Sequence, residues 1–412
     1  MRLPPMLASL TRHKLTVALM LVATAMTCAI ICNVASMIAN RLVLLNAPSG
    51  VDESSVVMLD SSQIDAIQTG EGGGVQDSQR ARYQADVAAL RTIAGVSSAS
   101  VVNGLPLDGG SSFNVATIPV SGSAQGTSVS AFWGGEGELA TLGLRLVSGR
   151  DFVASEYIPA EGGSGVSKVS ACIVSRVLAR RLFHDRQAVG QLVYQQQHPI
   201  RIVGVVEHLM GMNPRVGADD NEFAMLLPLE PDGDSATFVL RTAPQDRERV
   251  LKQASTVLNS HDQQRVLDDS VPFAQVRAKY FQRDTAMVGL LLASGLALLA
   301  VTAVGIAGLA NFWVQQRTQS IGIRRALGAT RADVLRYFLA ENFLIASGGI
   351  AGGWLLTYAL NLMLMKYYQL QVLSPAYLLI GAIAIWLIGQ LAALGPALRA
   401  AAVPPAVATR SV

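Results

Sequence analysis

The chain has 412 residues, 51% of them hydrophobic and only 15% charged, with a formal net charge of +3 and a mean hydropathy of +0.38. Soluble proteins carry about 25% charged residues, so a wholly soluble enzyme is excluded; the deficit sits in four long windows, with ordinary charge between the first and second. No Lys/Arg run interleaves with aromatics, which excludes a nucleic-acid partner recognised in that way.

The amino-terminal tail, residues 1–14, carries Arg2, Arg12 and Lys14 without an acid, and the first window, Leu15 to Ile38, has no charged residue. At about 1.5 Å per residue it exceeds the ~30 Å hydrocarbon core. It is also longer than the roughly 7–15 apolar residues of a signal peptide, and no small-residue cleavage site follows; a retained membrane helix is predicted over residues 15–38. Cys28 and Cys32 share one face of it and read as small packing residues rather than a redox or metal pair. Cys172 is alone in the soluble part, so that part has no internal disulfide.

Residues 40–275 read as a large α+β domain in two lobes. Tyr83, Val87, Leu90 and Ile93 lie on one stripe and predict a helix from Gln79 to Ile93, closed by Gly95. Val115 to Val120 alternates as a strand, and Ala171–Val174, Ile202–Val206 and Phe238–Arg241 are β-branched runs suited to buried strands, the last followed by a helix over about 245–258. Gly/Ser-rich stretches at Gly70–Gly74, Gly109–Ser112, Ser121–Ser128 and Gly162–Gly165 predict surface loops. The chain shows no catalytic constellation: Ser175 and Ser320 lack a G-x-S-x-G context, the five histidines have no ligand spacing, and Asp219, Asp220, Glu222, Asp232 and Asp234 read as solvated turns rather than calcium ligands. Nor does G-x-x-x-x-G-K-[ST] occur anywhere in these 412 residues, so no P-loop is expected to bind ATP here.

Val276 to Asp284, VRAKYFQRD, is a charged stalk (residues 276–284) bearing Arg277, Lys279, Tyr280 and Arg283; it relays movement between membrane and outer domain, anchors at the headgroups, or both. Membrane helices are predicted over 286–314, 338–365 and 373–395. Between the second and third lies a connector, 317–336, with Arg317, Arg324, Arg325, Arg331 and Arg336 against Asp333, and the tail 396–412 holds Arg399 and Arg410 with no acid. This bias puts both termini and the connector in the cytoplasm and the large domain outside. An ion-coupled transporter needs intramembrane ionisable groups, and here only Glu341 lies near a window. Gly348, Gly349, Gly352 and Gly353 form two overlapping GxxxG pairs, which serve either packing within the chain or a seam between two chains.

Three ordered stretches resemble a known family. LGLRLVSGRDF at Leu142–Phe152, VSRVLARRLF at Val174–Phe183, then Val189–Gln191 and IVGVV at Ile202–Val206, resemble the MacB-like periplasmic core domain. RTQSIGIRRALGA at Arg317–Ala329, continuing to Glu341, is similar to the FtsX-like permease signature, as is the closing Pro396–Ala400 with Pro405 and Arg410. The resemblance implies a four-helix permease bundle of the mechanotransmission type in a bacterial inner membrane, its large domain periplasmic. It also implies a cytoplasmic ABC ATPase in a separate chain that binds the ATP, no cofactor or catalytic residue in this chain, contact with membrane lipids, and a second permease protomer. Arg317, Ser320, Ile321, Ile323, Arg324, Arg325 and Leu327 become the ATPase-coupling residues, with Ile321, Ile323 and Leu327 as an apolar patch beside the arginines. Thr330 and Asp333 would cap the next helix. Without the motif the arginines would only obey the charge bias or touch anionic lipid. Ser320 departs from the family's usual Glu, which weakens an ion pair and predicts pairing with a non-identical permease. The expected function is export of a peptide, toxin or antibiotic from the periplasm, with a periplasmic adaptor and an outer-membrane channel; the alternatives are FtsX-like signalling to an extracytoplasmic partner and lipoprotein release.

Overall fold

The computed structural model describes residues 14–63, 73–108, 111–118, 126–184, 186–262, 265–368 and 374–402. It divides into two compact units, one of residues 44–283 and one of residues 1–43 with 284–412.

The first unit is an α+β domain built on two sheets. The smaller is antiparallel, in the order β13 (Arg265–Pro272), β1 (Val56–Gln63), β12 (Ser235–Thr242), β2 (Val96–Val102). The larger is mixed and runs β3 (Ser111–Val115), β4 (Thr127–Trp133), β10 (Ala224–Leu227), β7 (Ala171–Ser175), β9 (His198–Val206), β5 (Leu146–Gly149), with β8 (Leu192–Gln195) hairpinned onto β9. A two-residue pair, β6 (Ile158–Pro159) with β11 (Leu229–Glu230), stands apart.

Strand alternation sorts the core into layers. Val57, Leu59, Phe238 and Leu240 face outward from the smaller sheet and are covered by Tyr83 and Leu90 of α2 (Gly73–Arg91) and by Val250, Ala254 and Leu258 of α5 (Arg247–His261). Their neighbours Val56, Met58 and Val239 turn inward and meet Ala171, Ile173, Val203, Ala224 and Leu226 of the larger sheet. The opposite face of that sheet, Cys172, Val174, Ile200, Ile202, Met225 and Leu227, packs under Leu178 and Ala179 of α4 (Arg176–Phe183). Because the central strands are buried on both faces they read as unbroken apolar runs rather than alternating ones. Ser175 caps α4, its hydroxyl accepting from the Leu178 N–H at 3.1 Å.

Several sequence expectations are corrected. The strand expected from Val115 ends there: β3 pairs Ser111 with Ala131 and Val115 with Thr127, and Ala116 adds only an isolated bridge to Tyr194. Pro119, which has no N–H to give a ladder, and Val120 lie outside the described residues. Of the expected loops, Gly73 and Gly74 begin α2, Ser111 and Ser112 lie in β3, and Thr127 and Ser128 lie in β4. The remainder of those three stretches, except the bend at Gly126, falls outside the described residues. Gly162–Gly165 sits in a 3-10 helix, Glu161–Lys168; Gly165 runs against the Pro159 carbonyl, where a Cβ has no room. The helix expected from 245 begins at Arg247, after a 3-10 turn over Pro244–Asp246.

Among the described residues, the second unit holds four helices long and apolar enough to cross a membrane: α1 (Lys14–Leu45), α7 (Gln282–Gln316), α9 (Arg331–Tyr368) and α10 (Pro375–Ala402). A short α8 (Thr318–Ala326) precedes α9. The expected connector 317–336 is therefore α8 plus the first turn and a half of α9, and α10 continues through Pro396 to Ala402. Cys28 and Cys32 are fully buried with Ile350, Ala382 and Ile385 in the heart of the bundle. Polar pins cross it: Thr27 and Thr302 hydroxyls at 2.9 Å, Asn342 to the Gly389 carbonyl at 3.0 Å, and the Trp354 indole to the Leu378 carbonyl at 3.2 Å. Arg41 of α1 and Asp284 of α7 form an ion pair.

Candidate functional site

Three groups of residues bear on function, and each is held by a specific local geometry. The first is α8. Arg317 stands between α7 and α8, with its N–H still bonded to the Trp313 and Val314 carbonyls at 3.2 Å and its own carbonyl accepting from Ile321 at 2.9 Å. The chain thus kinks rather than breaks. After α8, Gly328 at φ +101 reverses it, a conformation that suits glycine. Thr330 and Asp333 then form a reciprocal cap for α9, the Thr330 N–H at 2.9 Å and hydroxyl at 2.6 Å from Asp333 Oδ2, and the Asp333 N–H at 3.2 Å from Thr330 Oγ1.

The seven residues expected to couple do not share one surface. Leu327 is 83% exposed and Ile323 51%. Ile321 is only 6% exposed and packs with Val314, Val334, Ala400 and Ala401. Arg317 also turns inward, donating to both Glu341 oxygens at 3.1 and 2.9 Å, with its guanidinium 5.5 Å from the Trp313 ring. Arg324 lies 5.0 Å over the Tyr337 ring. Arg325 lies on the last turn of α8, and Ser320 lies in α8 with its side chain outside the described residues. The outward patch is therefore Ile323 and Leu327 with arginines around it. Helical periodicity alone does not say which side of a nine-residue helix meets α9.

The second group is the glycine run of α9. A Cβ at Gly349 would stand 2.6 Å from Thr24 Cβ, one at Gly353 2.6 Å from Cys28 Cβ, and one at Gly348 2.9 Å from Leu21. At Gly352 the nearest atom, Ala25 Cβ, is 3.5 Å away. The glycines thus face α1 of the same chain and let the two backbones approach. Their partners Leu21, Thr24, Ala25 and Cys28 were not foreseen, although three of them are small residues at helical spacing.

The third group is the expected stalk, which is not a continuous charged rod. α6 (Phe273–Tyr280) ends at Phe281, and α7 starts one residue later. Arg277 donates to the Leu45 and Ala47 carbonyls at 2.6 and 2.7 Å and to Glu53 at 2.6 Å, while stacking 5.4 Å from the Phe281 ring. It satisfies carbonyls that the C-terminal end of α1 leaves open. Phe281 is buried with Leu44, Leu107 and Met210. Tyr280 reaches the Pro214 carbonyl at 3.4 Å, Lys279 reaches Asp269 at 3.3 Å, and Arg283 is exposed.

In the α+β domain, Glu138 opens α3 (Glu138–Leu142), a short helix tied to the smaller sheet and to the segment that leads into it. Ser98 and Thr141 hydroxyls meet at 2.6 Å, Arg241 donates to the Ala140 carbonyl at 3.0 Å, and the Asp52 N–H donates to the Leu142 carbonyl at 2.9 Å. Glu138 is 3% exposed. Burial, with a smaller effect of the Asp151 charge, pushes its carboxyl up to about 8. Burial also raises the Tyr157 hydroxyl, and Glu138 adds to that; the Cys172 thiol is raised by burial alone. Among the described residues, no three His, Cys, Asp or Glu side chains come together as metal ligands would. The cavity beside Trp313, Glu341, Asn342 and Pro396 measures about 20 Å³, room for one water.

The family model for the MacB-like periplasmic core domain matches residues 19–263, and that for the FtsX-like permease C-terminal region matches residues 292–405. The chain is 26% identical over 227 residues to an uncharacterized ABC transporter permease, YknZ, of Bacillus subtilis, covering 53% of each protein. It is 25% identical over 252 residues to the pyoverdine export ATP-binding/permease protein PvdT of Pseudomonas syringae pv. tomato, covering 59% of this chain and 38% of PvdT. The chain thus spans about half, or less, of the length of these curated relatives. The crystal structure of the YknZ extracellular domain aligns with 52% of this chain and all of that domain, at 14% identity and a TM-score of 0.32.

Proposed function

The chain belongs to the ABC transporter permease family that joins a MacB-like periplasmic core domain to an FtsX-like permease region, and on that premise we propose that it converts ATP hydrolysis on a separate cytoplasmic ATPase into movement of its outer domain. The observation that carries this reading is the exposure of Ile323 on α8 and of Leu327 at its C-cap, beside Arg324 and Arg325. A small apolar face with a basic surround suits an amphipathic groove on a partner. By the positive-inside rule that face lies in the cytoplasm of a bacterial inner-membrane protein.

In this reading the chain is non-catalytic and the helices relay force rather than line a pore. The bundle interior supports that role: its seam is closed by glycine contacts, and Glu341 is already paired with Arg317. The size of the outer domain, two sheets with three apolar cores, supports export of a periplasmic peptide, toxin or antibiotic, with an adaptor and an outer-membrane channel. Two permease protomers pair on two ATPase copies, and Ser320 favours a non-identical second protomer.

Leu327→Asp tests the docking face. It places a charge on an exposed site, so insertion and folding are retained, while stimulated ATP hydrolysis by the partner falls at least about tenfold. Hydrolysis at the parent level would remove α8 as the docking element. A stable homodimer of this chain with full coupling would remove the mixed pair.

A further inference from the structure

We propose that Arg317 and Glu341 form a latch that makes α8 and the first turns of α9 a single lever, so that a push on the exposed face of α8 enters α9 and passes through the glycine seam into α1. This rests on the docking role given above to Ile323 and Leu327.

Three contacts join α8 and its N-cap Arg317 to α9. Arg324 lies over Tyr337 near the turn, Ile321 packs with Val334 and Phe338 in the middle, and Arg317 closes the far end on Glu341. The Arg317 end of α8 thus meets α9 at Glu341, and the rest of α8 meets it at Val334, Tyr337 and Phe338. The latch is the buried end: Glu341 is 1% exposed, and Arg317 is sandwiched between it and the Trp313 ring. Removing either partner breaks an ion pair whose acid is buried, which is the costly way to lose one. Above the latch, only Leu327, Gly328 and Ala329 separate α8 from the capping Thr330, and Gly328 has no neighbour that a Cβ would meet. Gly328 is therefore the point at which α8 swings if the far end is released.

α9 cannot absorb the push by sliding along α1. At Gly349 and Gly353 the clearance to Thr24 and Cys28 is less than one methyl group, and packed seams of this kind shift between discrete arrangements rather than deform smoothly. Arg317, which the sequence places among the docking residues, thus acts through Glu341 as a positioning residue.

Two measurements separate the latch from the docking role. The first uses the full chain in lipid nanodiscs without ATPase and follows hydrogen exchange at amides 318–327. Arg317→Ala and Glu341→Gln should each speed that exchange about tenfold, and the swapped pair Arg317→Glu with Glu341→Arg should restore most of the protection. Unchanged exchange in the single variants overturns the latch. Glu341→Gln keeps the side-chain shape and carries the test if the alanine variant fails to insert.

The second uses the ATPase recovered with the tagged chain. Latch variants should bind it within about twofold of the parent yet lose about tenfold of the stimulated turnover. If affinity falls in step with turnover, Arg317 belongs to the docking surface and the latch is wrong; full stimulation in chains with loosened α8 also overturns it. Leu327→Asp should show the reverse, with binding lost and exchange unchanged. If Leu327→Asp binds and stimulates normally, the docking role fails while the exchange result still decides the latch.

Discussion

Glu138 is held neutral by its surroundings, and the sign of the consequence follows from its proton. The folded domain keeps that proton up to about pH 8, whereas the unfolded chain releases it near the ordinary 4.5. Between those values the folded state binds more protons, so stability falls as pH rises through that window. Glu138→Gln keeps the shape without the titration; its melting temperature should stay level across the window and exceed the parent's by a few degrees at about pH 8. A parallel decline in both proteins would show that other groups set the pH dependence. None of this was legible in the sequence. Glu138 follows Gly134, Gly135, Glu136 and Gly137, a stretch whose composition reads as a solvated turn. Arg317 was visible as part of a motif, but the motif does not reveal that its guanidinium points into the bundle.

At the scale of elements, the four membrane windows were legible because length and missing charge suffice to place a span. The glycine spacing was legible too, but it does not name the helix it meets. Gly349 and Gly352 make a matched pair for testing that partner. Gly349→Val adds a branched side chain where a Cβ alone would come within 2.6 Å of Thr24, and overpacking of that kind costs about 1–3 kcal/mol. Gly352→Ala meets only ordinary contact at 3.5 Å and should leave the detergent melting curve in place. Equal effects of the two substitutions would argue against the α1 seam. VRAKYFQRD is charged and helix-compatible throughout, and nothing in it marks a break in the stalk. Its break at Phe281 comes from burying that ring and turning Arg277 onto carbonyls, which local sequence does not encode. Arg277→Ala should cost about 2–4 kcal/mol and deprotect the amides of residues 45–53 in hydrogen exchange; unchanged protection there would assign the clasp no structural weight.

At the scale of the whole molecule, charge asymmetry and apolar windows separate membrane from soluble parts before any fold is known. The layering of the soluble part is harder to foresee. Strands such as β7 and β10 are apolar on both faces, and an unbroken apolar run does not say which face meets the other sheet. Long-range pairings such as β1 with β12 and β13 join segments near opposite ends of the domain, and no local signal announces them. Those pairings bring the domain's two ends together. Leu44, where the chain enters, and Phe281, just before it leaves, share one apolar cluster, and Arg277 ties the exit helix to Leu45 and Ala47. An insert with a closed neck places little demand on its host, because the loop-closure entropy is already met inside the insert. The α+β domain is thus a cassette, an insert whose two chain ends meet at one neck, where it can be exchanged between relatives without re-laying the rest of the chain.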